Sequence, residues 1–361
     1  MPLTNNPEHR ENAYLMPSPD REFVMLKRMA KLEAAIEPAI FDSPPKYNTE
    51  EFAQRVGMSR AEMERLARSI GQPLADTPQK RYTDSHVDAV GKALLFAEAE
   101  GLTPDELAAL VRNMAAAMER LAARQVEFIV QKIAATEQVS DTEARLRAAE
   151  RTPRQVNLLL PLLTHVYRRY FASTLKHLTV DAIAQRGLNN NDADFPLVRA
   201  IGFADLVDFT ARIENYSPNE LSDLVRNFRA ISWDIVKKNN GRVVNFIGDQ
   251  VFFVTDSLTD GANIALALTA PGTFLECGEV RAGLGWCRVI TTEGDVFGPG
   301  VNLTARISAA AEPSEVLIDQ KAAQILELLP EYSVVQQQSF TARGLGTIAP
   351  ARLRYANDPR P

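Results

Sequence analysis

The sequence predicts an α+β chain: an all-α bundle in the first half, followed by a sheet domain of the ferredoxin-like type. Three observations carry that expectation. From about residue 21 to 186, apolar residues recur at helical spacing almost throughout. At QRGLNNNDADFP, residues 185–196, the pattern stops at a glycine, three asparagines and a proline, the composition of a linker. Beyond it the apolar runs read strand, helix, strand, strand, helix, strand, the order of a split β-α-β sheet. A length of 361 residues accommodates two domains. The expected division is a flexible tail over 1–20, an all-helical domain over 21–186, a linker over 187–196 and a sheet domain over 197–361.

Taken in order, the tail is polar and carries Pro2, Pro7, Pro17 and Pro19. Between Asn48 and Gly71, Phe52, Val56, Met63, Leu66 and Ile70 fall on helical spacings. Thr49 before Glu50 marks one helix start, and Ser59 with Glu62 a capping box at a second. Tyr82-Thr83-Asp84 opens another helix. Thr103-Pro104-Asp105 opens a long one towards Ile133, because proline at the first helical position sacrifices no hydrogen bond. A further helix is expected from Thr152-Pro153 to about Gly187, kinked at Pro161. In the second half, strands are expected over 197–210, 242–247, 250–255, 279–291, 314–318, 332–340 and 350–356, with helices over 218–239, 260–269 and 319–329.

Composition narrows the function classes. Forty basic against 46 acidic residues give a net charge of −6, which argues against a chain built to neutralise nucleic acid. Residues 48–90 have the outline of a helix-turn-helix, but between 46 and 86 seven basic and six acidic residues nearly cancel, without the basic stripe of a DNA reader. No apolar run approaches a membrane span, and the N-terminus lacks the pattern of a signal peptide. Cys277 and Cys287 read as buried thiols of a reducing compartment, so a cytoplasmic location is expected.

Three constellations in the second half carry chemistry. In FADLVDFT, residues 203–210, Asp205 stands at the end of an apolar strand. There a carboxylate can hold a divalent cation, and the amides that follow can meet phosphate oxygens. In VVNFIGDQVFFV, residues 243–254, two strands meet at Gly248-Asp249, which puts Asp249 at a hairpin tip. Asn245 is a polar amide inside that strand, either a satisfied core group or an edge position. In EGDVFGPGVNLTARI, residues 293–307, a glycine-rich turn leads into a helix with Asn302 and Arg306 on one face. Arginine suits the charge that develops in phosphoryl transfer. Singly, each is an ordinary turn residue or a solvated side chain.

Together, FADLVDFT, the Gly-Asp hairpin and GDVFGPGVNLTARI resemble the class III nucleotide cyclases, over about residues 197–356. The helical first half resembles that of the soluble actinobacterial adenylate cyclases with an autoinhibitory, pH-responsive N-terminal domain. The resemblance implies that Asp205 and Asp249, with the Leu206 carbonyl, hold a pair of Mg²⁺ or Mn²⁺ ions. It further implies that Asp295 selects adenine, that Asn302 orients the ribose and that Arg306 stabilises the transition state. Phe209 and Thr210 would lie against the substrate, and Arg343 would bind the terminal phosphates of ATP. Because the family draws these groups from two chains, a homodimer with interfacial sites is implied.

Two departures stand out. The family's adenylate cyclases carry a lysine where this chain has Asn245, a shorter and uncharged donor to adenine N1. A glycine usual in the family is replaced by Cys287. For regulation, His165 and His177 lie on the helix that leads into the second domain, where their titration can reposition it. The apolar faces of the bundle are a candidate holder of a lipid or another small molecule.

Overall fold

Side-chain caps set where the helices begin. In the computed structural model, which describes residues 19–41, 43–72, 74, 79–185, 197–209, 216–275 and 277–358, reciprocal capping boxes open five of them: Ser59/Glu62, Thr83/His86, Thr103/Glu106, Ser217/Glu220 and Asn48/Glu51. The last caps a helix that starts at Thr49 as expected, with Asn48 as the capping residue. The chain divides into two compact units, Met1–Ser173 and Thr174–Pro361. Of the tail expected over 1–20, residues 1–18 lie outside the described residues, as does the linker over 187–196, while residues 19 and 20 are helical.

The first unit is helical: α1 (Pro19–Ile40), α2 (Thr49–Val56), α3 (Arg60–Ile70), α4 (Asp84–Glu100), α5 (Pro104–Glu137) and α6 (Asp141–Arg151), then the start of α7 (Leu160–Gln185). The α2–α3 pair turns at Gly57 in the left-handed region (φ 72°), and its flanks are closed by an antiparallel bridge between Tyr47 and Tyr82. Phe52 stacks on Tyr82 at 4.3 Å, and Met63, Leu66, Ala97, Leu107 and Ala108 are buried around them. Residues 152–158 are two 3₁₀ turns rather than the start of a long helix. Pro161 therefore stands in the first turn of α7, where its missing N–H is harmless, and the expected kink does not occur.

The second unit contains β1 (Leu197–Leu206), α8 (Pro218–Lys238), β2 (Arg242–Ile247), β3 (Gln250–Thr255), α9 (Leu258–Leu268), β4 (Val280–Thr292) and β5 (Asp295–Phe297). It continues through α10 (Pro299–Ala309), β6 (Val316–Ile318), α11 (Gln320–Leu326), β7 (Tyr332–Gln336), β8 (Phe340–Ala342), β9 (Gly346–Ile348) and β10 (Ala351–Tyr355). The main sheet runs β2-β3-β1-β4-β6-β10-β7, with β5 paired to β4. Its first four strands are mutually antiparallel, and β1 lies between β3 and β4. This is the split β-α-β arrangement of the ferredoxin-like type. The expected strand over 332–340 is two elements, since β8 leaves the main sheet and pairs with β9.

Alternation along the strands sorts the two faces. Ala200, Ala204 and Leu206 join Phe228 of α8 and Ile264 and Leu268 of α9 in one buried cluster. Ile201 and Phe203 face the other way, with Phe252, Val254 and Val289, beneath Val301 and Ala305 of α10. At Gly202 a Cβ would enter the Phe253 ring, so only glycine lets the ring cross β1. Among the described residues no helix is long and apolar enough to cross a membrane.

Candidate active site

Asp205, next to last in β1, is level with Gln250 of β3 and Arg281 of β4. The β2–β3 hairpin turns through Gly248 (φ 62°), which brings Asp249 to the same end of the sheet. The Leu206 N–H donates to the Asp249 carbonyl at 3.3 Å and fixes the hairpin tip against the strand end. Phe209 follows the turn at Val207-Asp208 and packs, partly buried, against the main core. Thr210 lies outside the described residues.

The electrostatics of this end are unbalanced. Burial, and after it the Asp205 charge, push the Asp249 carboxyl above the usual carboxylate range. Asp205 Oδ2 accepts from Arg281 Nε at 3.1 Å and Nη2 at 3.0 Å, whereas Asp205 Oδ1 is buried without a partner. An orphaned carboxylate oxygen beside a second, crowded carboxylate suits a hard cation that takes oxygen ligands. The residues present fit Mg²⁺ or Mn²⁺.

Arg281 was missed in the sequence reading. Its Nη1 also donates to the Ala309 carbonyl at 3.1 Å, so one guanidinium ties Asp205 to the end of α10. The only available sequence signal was an arginine opening a strand otherwise rich in apolar residues and glycine, RAGLGWC at 281–287.

The base and ribose residues stand elsewhere. Asp295 is exposed at the start of β5, level with Thr292, and its Oδ1 accepts from the Val296 N–H at 2.8 Å. Helix α10 lies along β4: the Ser308 hydroxyl donates to the Phe203 carbonyl at 3.1 Å, and Gly300 abuts Cys287. With Val301, Ala305 and Ser308 turned to the sheet, Asn302 and Arg306 are left exposed to solvent one turn apart. Arg343 is exposed in the turn between β8 and β9.

Asn245 resolves as an edge position. It is exposed on the outermost strand at a register shift between Val243 and Asn245, and its Oδ1 accepts from the Phe246 N–H at 2.9 Å. A second missed residue, Arg242, donates from Nη1 to the Gly294 carbonyl at 2.9 Å and so braces the turn that carries Asp295.

Asp205 and Asp249 thus gather with Leu206 and Phe209 at one end of β4, and Asp295 lies at the other. The eleven residue steps from Arg281 to Thr292 correspond to about 36 Å along the strand at ~3.3 Å each. A single chain does not bring its acidic pair to its own Asp295.

A split sheet with a carboxylate pair at the end of its first strand and an Asn/Arg helix over its face has the layout of a nucleotide cyclase domain. No family model matches the chain. Among its relatives is an adenylate cyclase of Glutamicibacter nicotianae, 29% identical over 328 residues, covering 89% of this chain and 81% of that one. An adenylate cyclase of Streptomyces coelicolor is 32% identical over 302 residues, covering 82% and 75%. A pH-sensitive adenylate cyclase of Mycobacterium tuberculosis is 25% identical over 285 residues, covering 78% and 70%. The chain belongs to the adenylate cyclase family and is an enzyme of the cyclase class.

Proposed function

We propose that the protein converts ATP to 3′,5′-cyclic AMP and pyrophosphate at sites shared between two copies of the chain. The observation that carries this reading is the separation of Asp205 and Asp249 from Asp295 along β4. One copy offers the acidic pair, the other Asp295, Asn302 and Arg306, and a two-fold dimer then has a pair of equivalent sites.

Asp205, Asp249 and the Leu206 carbonyl hold the divalent cations. When bound, Mg²⁺ or Mn²⁺ supplies the charge that makes the ribose 3′-hydroxyl acidic and neutralises the triphosphate. The 3′-oxygen attacks the α-phosphorus in line, its proton passes to water, and the bridging oxygen leaves with pyrophosphate. Asn302 orients the ribose, and Arg306 meets the charge gathering on the α-phosphoryl oxygens. Arg343 and the segment through Phe209 and Thr210 take the remaining phosphates. Asp295 accepts from the adenine amino group while the Asn245 amide donates to N1. ATP as substrate is consistent with a cytoplasmic location.

Complementation tests the shared site. Asp205→Ala and Arg306→Ala are each expected to abolish cyclic AMP formation, followed by mass spectrometry with Mn²⁺ and ATP. An equal mixture is expected to recover about a quarter of wild-type activity, because half of randomly paired dimers are mixed and each has one intact site. Two inactive variants with no recovery on mixing would sink the two-chain site.

The helical half is proposed to regulate this reaction. On α7, His177 Nδ1 lies 3.0 Å from Asp256 Oδ2, and Arg199 Nε of β1 holds the other oxygen of Asp256 at 2.9 Å. This contact of α7, together with a relative named as pH-sensitive, supports control of the reaction through α7.

A further inference from the structure

Three observations converge on Arg242, at the start of β2. The first is the turn it touches. Strands β4 and β5 close on a two-residue loop, Glu293-Gly294, with Thr292 opposite Asp295, and both loop residues have positive φ, 56° and 82°. A turn of that hand suits the twist of a hairpin, but its first position favours asparagine, aspartate or glycine. The Glu293 Cβ crowds the backbone there, and a strained turn persists where its surroundings hold it. Arg242 Nη1, from the neighbouring β2–β3 hairpin, donates to the Gly294 carbonyl at 2.9 Å.

The second is the strand to which Arg242 belongs. Its register against β3 shifts between Val243 and Asn245, directly after Arg242. Such a shift changes the aim of the side chains beside it, here Asn245. Val244, within the shift, packs against the apolar cluster that holds Val296, the neighbour of Asp295. The strand that carries Asn245 and the turn that carries Asp295 are therefore joined through one apolar cluster and one guanidinium.

The third is charge. Burial is the main influence on the Arg242 guanidinium and lowers its pKa, while the Asp295 charge comes next and raises it. Arg242 thus attracts Asp295, yet among the described residues its hydrogen bond goes to the Gly294 carbonyl and not to the carboxylate. The brace leaves the acceptor to a substrate.

We propose that Arg242 is a positioning residue for purine selection: by holding the Gly294 carbonyl it fixes the turn from which Asp295 accepts from a purine 6-amino group. The inference rests on the adenine reading of Asp295 above. A carboxylate on an unbraced turn moves with the turn, and a hydrogen bond weakens steeply with misalignment. Bracing therefore adds discrimination between bases.

The test uses the full-length protein with Mn²⁺ and two substrates that differ in one group: ATP, and purine riboside 5′-triphosphate, which has hydrogen in place of the amino group. The ratio of their kcat/KM values, from cyclic product measured by mass spectrometry, reports the contact to the amino group. Loss of folded protein cancels from that ratio. Wild type is expected to favour ATP about tenfold or more, the worth of a hydrogen bond to a charged acceptor. Asp295→Ala is expected to bring the ratio near one. Arg242→Ala is expected to lower it at least about twofold, and to change it no further on the Asp295→Ala background, because it acts through Asp295. Arg242→Lys keeps a charged donor and is expected to stay closer to wild type than Arg242→Ala. Should Arg242→Ala not fold, the shorter Arg242→Gln carries the same expectation. A ratio that Asp295→Ala loses and Arg242→Ala keeps, or an Arg242→Ala effect of the same size on both backgrounds, would overturn the positioning role and leave the adenine reading intact. A wild-type ratio near one, or one untouched by Asp295→Ala, sinks the adenine reading and the positioning role with it.

Discussion

Asn245 is where the chain departs furthest from its family's usual base contacts, and its surroundings show what the departure leaves. On the exposed edge strand, its Oδ1 is occupied by the Phe246 N–H, so the amide NH₂ is the end available to a purine. An uncharged donor on a short stem is a weaker reader of adenine N1 than a lysine. Asn245→Lys is therefore expected to widen the ratio of kcat/KM for ATP over GTP by about 5- to 150-fold, the equivalent of ~1–3 kcal/mol for one base contact. Cyclic product formed from each nucleotide, measured by mass spectrometry, gives the ratio directly; an unchanged ratio would show that residue 245 does not touch the base. Cys287 is a departure of another kind. Where the family has glycine, its side chain fills the space against Gly300, and a Cβ at Gly300 would collide with it. That contact, like the pairing of Arg281 with Asp205, was not legible in the sequence, because strand register and helix packing bring those residues together.

At the scale of elements, the sequence was informative wherever periodicity and caps agreed. The bounds of α8, β2 and β3 match the expected helix over 218–239 and the two strands that meet at Gly248-Asp249. It was less informative where a short element depends on what it packs against. Residues 152–158 have a helix-start signal yet form 3₁₀ turns, and β8 turns away from β7 to build a hairpin over α10. The cap of α11 makes a quantitative case. Asp319 caps a short helix from a buried site, and burial raises its carboxyl above the usual range. A carboxyl raised on folding favours the native state below its unfolded value, and that contribution disappears as pH rises through the folded value. Asn caps as well as Asp but carries no charge to bury. Asp319→Asn is expected to melt above wild type at pH 7, with each kcal/mol of relieved burial worth about 2–4 °C in a unit of this size. The gap is expected to shrink at pH 4. Calorimetry at the two pH values decides it; a variant that melts lower at both would assign Asp319 a contact its charge is needed for.

On the scale of the whole molecule, the boundary between the two compact units falls inside α7, between Ser173 and Thr174, with no break in the helix. Within the second unit, the end of α7 is held to Asp256 by His177. Both side chains are substantially exposed, so the contact contributes at most what exposed ion pairs do, ~0.2–1 kcal/mol, or about 1.5- to 5-fold in an equilibrium. In the full-length protein, His177→Gln is expected to change the rate of cyclic AMP formation by about that factor. Asp256→Asn is expected to do the same, since it removes the carboxylate while leaving the histidine in place. His165 lies on the first unit's part of α7, with no carboxylate contact among the described residues, and His165→Gln is expected to leave the rate unchanged. If His177→Gln and Asp256→Asn both retain the wild-type rate, control of the enzyme does not pass through this contact.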